Sequence, residues 1–194
     1  MDVKKKLALA IRVISVPPVM AALLVVALWF GEDGVFASIE EALATVFFLS
    51  LLPLLAYPIS AMVPALRQKG REGQRNLAFA LSVAGYVGAW LYGALGHRGA
   101  VLLFICGTYL FSVAILLIFN KLLHLRASGH ACSVAGPILL VIYFLGGWWV
   151  PALMALYAAI FWASVAAKRH TVGEFLLGTV SVVCAMLLSW LIYM

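Results

Sequence analysis

Two stretches of this 194-residue chain carry the side chains with the most chemical reach. The first runs Lys121-Leu122-Leu123-His124-Leu125-Arg126-Ala127-Ser128-Gly129-His130, and the second Lys168-Arg169-His170-Thr171-Val172-Gly173-Glu174. His170 and Glu174 stand at i and i+4, on one face of a helix, where a carboxylate can orient and charge-stabilise an imidazole. Ser128 and Gly129 lie just ahead of an apolar run, where the free N–H groups and dipole of a helix start attract anions. Two histidines, a carboxylate, several cations and an anion-binding turn make an inventory suited to attacking a phosphate ester.

The elements that must position these groups are membrane helices. The chain is 66% apolar and 10% charged, with a mean hydropathy of +1.13. A soluble domain of this size cannot hide that much apolar surface. About 20 apolar residues cross a bilayer core, and seven stretches qualify or nearly do: 7–30, 41–66, 77–97, 99–120, 131–148, 149–167 and 174–193. The expected fold is all-α, a polytopic transmembrane bundle of six to seven membrane helices in a single domain over 1–194. Pro17-Pro18 should kink or break the first segment, and Pro53, Pro58 and Pro64 should bend the second. Gly85, Ala89 and Gly93 form a small-residue stripe for close helix packing, within the chain or in a homo-oligomer. Gly147-Trp148-Trp149-Pro151 marks a turn between two arms of about 18 residues, roughly 27 Å each. That hairpin returns His170 to the side of His130. Cys106, Cys132 and Cys184 lie apart in apolar segments and read as buried packing thiols, without a disulfide framework.

Charge sets the orientation. If every segment crosses once, Lys4, Lys5, Lys6, Arg67, Lys69, Arg71, Arg75, Lys121, Arg126, Lys168 and Arg169 fall on one face. Arg12, a turn and a half inside the first helix, can snorkel to it. Arg98 alone among the bases falls on the other, with Glu32, Asp33, Glu40 and Glu41. The positive-inside rule makes the basic face, with the N-terminus and the site, cytoplasmic. The bases follow the membrane boundary, so the bilayer is the partner and nucleic acid is not.

Ala127-Ser128-Gly129-His130 resembles the P-S-G-H motif of the type 2 phosphatidic acid phosphatase superfamily. The stretch from Arg169-His170 through Glu174 to Gly178 resembles that family's third motif, S-R-x5-H-x3-D, with its trailing glycine. The resemblance covers residues 67–182, which makes 67–194 a phosphatase-like core behind the N-terminal helices of 1–66. It implies a metal-independent hydrolase of a membrane lipid phosphate or prenyl diphosphate, with no cofactor. His170 would be the nucleophile that forms a phosphohistidine, Glu174 its orienting carboxylate, and His130 the general acid. Ser128 and Gly129 would bind phosphoryl oxygens.

The family pattern is broken at two places. Its third-motif arginine falls on Ser164, preceded by Ala163, and its first motif, K-x6-R-P, has no faithful copy. Lys168 and Arg126 are the candidates to replace the arginine. Arg67, Lys69, Arg71 and Arg75 are the nearest candidates for the first motif, in a run where Asn76 stands in place of the proline. One lost charge clamp costs about 2.7–4 kcal/mol of transition-state stabilisation. Restoring arginine at 164 is therefore expected to raise activity if the clamp is missing. The alternative is a descendant that binds or transports lipid headgroups without hydrolysing them. A permease is disfavoured because ionisable groups sit at helix ends, not at mid-depth. His97 and His124 read as boundary residues. A metal on His124, His130, His170 and Glu174 is disfavoured by the lack of compact ligand spacing.

Overall fold

The computed structural model describes residues 3–194, without the side chain of Lys5, so that one base of the N-terminal cluster lies outside the described residues. These residues form helices and turns with no strand. We label the helices α1 (Val3–Ile14), α2 (Pro17–Gly31), α3 (Ile39–Met62), α4 (Gly70–Leu95), α5 (Ala100–Leu122), α6 (Gly129–Leu145), α7 (Gly147–Ala166) and α8 (Val172–Tyr193). Among the described residues five helices are individually long and apolar enough to cross a membrane, and the bent pair α1 and α2 makes a sixth if it is counted as one span. Helix α6 is apolar but shorter, at 17 residues. Leu187, Leu188, Leu191 and Ile192 point out of the bundle on α8, an arrangement suited to lipid rather than water.

The break in the first span follows from its prolines. A residue before proline is pushed out of the helical region, and Val16 is extended at φ −63°, ψ 148°. Pro17 and Pro18 then open α2, where missing N–H groups cost nothing. The two pieces meet at 55°. Helix α3 absorbs Pro53 with a wide turn over Phe47–Leu51 just before it. It stops at Met62 because Val63, ahead of Pro64, is extended, four residues short of the expected end.

Helix α8 runs against α5 and α6. Ser189 Oγ donates to the Phe104 carbonyl at 2.8 Å, and a Cβ at Gly107 would meet Ser189 and Tyr193. The α4 stripe serves packing within the chain: a Cβ on Gly85 would strike the Phe48 carbonyl oxygen of α3, and Ala89 is buried. At the end of the bundle away from His130 and His170, Arg98 pairs with Glu40 at 3.1 Å and Glu41 at 3.5 Å. It also lies 4.9 Å over the Tyr92 ring. Trp148 stands almost wholly exposed at the α6–α7 turn. Cys106 and Cys132 are buried, whereas Cys184 is exposed on the outer surface, which corrects its reading as a packing thiol.

Candidate active site

Three local devices build the turn that carries His130. Ser128 caps α6, its Oγ accepting from the Ala131 N–H at 3.2 Å, as a serine N-cap should. Its own N–H donates to the Glu174 carbonyl at 2.9 Å, tying the turn to the start of α8. Asn120 Nδ2 donates to the carbonyls of Leu116 and Ala127 at 2.9 and 3.2 Å, holding the incoming connection. Gly178 is the seat beneath: a Cβ there would run into the Ser128 carbonyl oxygen.

The second motif is built on a capping box. Thr171 Oγ1 accepts from the Glu174 N–H at 3.2 Å, and Glu174 Oε2 accepts from the Thr171 N–H at 3.1 Å. The same Oε2 lies 3.4 Å from His170 Nδ1, and Oε1 lies 3.6 Å from Arg126 Nε. Glu174 is thus both a helix cap and the partner of His170. An Nδ1–H facing a carboxylate leaves Nε2 as the ring's lone-pair nitrogen. Burial first, and the Arg12 charge next, push the His170 imidazole below its ordinary range, while Glu174 pulls the other way and Arg126 adds a further downward push.

His130 and His170 line one cavity of about 700 Å³. Its rim also carries Arg12, Arg75, Lys121 and Gly129, and its walls descend past Ser112, Val113, Leu116, Pro137 and Val182 to Tyr86 and Tyr109. From Lys121 to Tyr109 it follows α5 for about 18 Å, at 1.5 Å per residue. A charged mouth over an apolar shaft is the shape of a site for an anionic amphiphile.

Of the candidates in the sequence, His130, His170, Gly129 and Arg75 line this cavity, and Glu174 reaches it through His170. Ser128 is buried in its capping role and does not line it. Arg126 is exposed and turned to Glu174. Lys168 is exposed in a left-handed turn at φ +52°, and Lys69 is exposed at the end of a short helix; neither lines the cavity. Ser164, where the family has arginine, is fully buried in α7. His124, at φ +53°, is exposed on the connection before the turn. Among the described residues no group of three or more His, Cys, Asp or Glu is disposed to hold a metal.

Arg12 and Ser15 come to the site from the N-terminal helix, which the motif pattern did not include. Ser15 is buried, with Oγ 3.4 Å from His130 Nε2. Arg12 lines the cavity, and its charge reaches both histidines. The signal available in the sequence was a base inside an apolar run, followed one turn later by Pro17-Pro18.

No protein-family model, curated protein or solved structure matches this chain. The likeness to the phosphatase superfamily therefore rests on the motifs quoted above.

Proposed function

We propose that this protein is an integral-membrane phosphatase that hydrolyses a membrane lipid phosphate or prenyl diphosphate at the cytoplasmic face of the cell membrane. The observation that carries the reading is the meeting of His130 and His170, 40 residues apart in sequence, on one cavity wall with Glu174 on the Nδ1 side of His170. His170 Nε2 attacks phosphorus, and the bond from phosphorus to the lipid oxygen breaks. His130 gives a proton to that departing oxygen; burial and the Arg12 charge disfavour its protonated form, and the negative charge of the bound phosphoryl group offsets them. Water then attacks the phosphohistidine, His130 takes up the water proton, and inorganic phosphate leaves with both histidines restored. Glu174 holds the ring and stabilises its positive charge during attack, and the apolar shaft receives the lipid chain.

Ser164 in place of the family's arginine favours a second reading, a headgroup binder or transporter that kept the site without turnover. One experiment separates the two. Purified protein in detergent is offered phosphatidic acid, phosphatidylglycerol phosphate and prenyl diphosphates, with chelator present, beside His170→Ala. Phosphate release that vanishes in the variant supports the phosphatase. Saturable lipid-phosphate binding without release supports the binder, and full release by a folded His170→Ala protein overturns the nucleophile.

A further inference from the structure

We infer that Arg12 is the phosphate-clamping cation of this site, delivered from the N-terminal span by the proline break that follows it. The inference rests on the phosphatase reading for its catalytic consequence but on geometry alone for anion binding.

The guanidinium is half-buried at the cavity wall, and its Nη1 is shielded from solvent without a hydrogen-bond partner among the described residues. Among the described residues no carboxylate lies within ion-pair distance of it: Glu174 is engaged by His170 and Arg126, and Glu40 and Glu41 by Arg98 at the other end of the bundle. A guanidinium is always charged and presents a rigid fork of donors. Held beside two imidazoles with an arm unsatisfied, it lacks an anionic partner, and a phosphoryl group seated between the histidines would supply one with matching bidentate geometry.

The position of Arg12 is built. Val16 is forced out of helix by Pro17, the chain turns through 55°, and α1 lies against α7 instead of continuing the line of α2. Ser15, at the same break, is buried with its hydroxyl at His130, so one break serves both residues. Helix α7 turns Ala163 and Ser164 inward, both fully buried. The helix that lost the expected arginine is thus the one on which the helix bearing Arg12 packs.

The test measures inorganic phosphate as a competitive ligand and lipid-phosphate turnover in wild type, Arg12→Ala, Arg12→Lys and His170→Ala, all as full-length protein in detergent. Arg12→Ala should lower kcat/KM by about 10²–10³ and weaken inhibition by inorganic phosphate at least tenfold. Millimolar guanidinium should restore part of the turnover in Arg12→Ala and none in His170→Ala, a rescue that a purely structural arginine would not allow. A folded Arg12→Ala protein with phosphate inhibition within twofold of wild type overturns the inference even if the phosphatase stands. Arg12-dependent phosphate binding without turnover in wild type sinks the phosphatase reading and keeps the clamp. If Arg12→Ala does not fold, Arg12→Lys decides: weakened phosphate affinity in a folded protein supports the fork, and wild-type affinity and turnover refute it.

Discussion

At the scale of single residues the site turns on how His170 is held. Four charged or titratable groups face it: Glu174 from α8, Arg12 from α1, His130 from α6 and Arg126 from the connection before the turn. Burial and Arg12 favour the neutral ring, the form the proposed nucleophile needs, and Glu174 opposes them. The sign of a substitution follows. Glu174→Gln can still cap α8, but it removes the one group that raises the His170 pKa. The acid limb of the kcat/KM profile should therefore move to lower pH, while kcat falls by roughly 10² or more, as expected when an orienting carboxylate is lost. Arg12→Ala should move the same limb the other way, to higher pH. A profile recorded from pH 4 to 8 for the three proteins checks both directions, and coincident limbs would sink the pairing.

At the scale of elements, Gly178 and Ser164 each decide how two segments meet. Gly178 lets α8 lie directly under the Ser128 turn, whose backbone is pinned by the Glu174 carbonyl. Gly178→Ala forces that turn away, with an overpacking cost of about 1–3 kcal/mol. Thermal unfolding should drop and turnover should fall with it, whereas Gly173→Ala, whose Cβ meets open space, should be close to neutral by both measures. The structure also changes what an arginine at 164 would do. Ser164 has no exposed surface, so Ser164→Arg must displace packed neighbours or bury a second charge. Loss of folded protein, read by size-exclusion chromatography and thermal unfolding, is expected instead of a gain in rate.

Across the whole molecule most of the bases gather at the cavity end, with Glu72 and Glu174 among them, while Glu40 and Glu41 lie at the other end with Arg98. Arg12, Arg75 and Lys121 ring the mouth of the cavity with the histidines, while Arg98 is neutralised by Glu40 and Glu41 at the other end. In our reading the basic end faces the cytoplasm. Cysteine labelling in intact cells tests it, because Cys106 and Cys132 are buried and only Cys184 needs replacing by alanine. In that background a cysteine introduced by Trp148→Cys should react with a membrane-impermeant maleimide from outside, and one introduced by Gln68→Cys only after lysis. The reverse pattern would place the cavity mouth on the outer face.

How much of this was legible before folding depends on the range of the interaction. Helix identity, the break at Pro17-Pro18 and the pairing of His170 with Glu174 are set within one or two turns, so hydropathy, proline placement and i,i+4 spacing carried them. The return of His130 and His170 to one side followed from the α6–α7 hairpin. What spacing could not reach was the choice among cations. Lys168 and Arg126 are near the motifs in sequence but do not line the cavity, and neither does Lys69, while Arg12 is more than a hundred residues from either histidine and its charge reaches both. That choice depends on the bend after α1 and the packing of α1 on α7, which no single helix encodes. The sequence by itself determined a bundle of apolar helices with a basic end and a histidine pair; the tertiary structure alone decided which positive charge stands beside that pair.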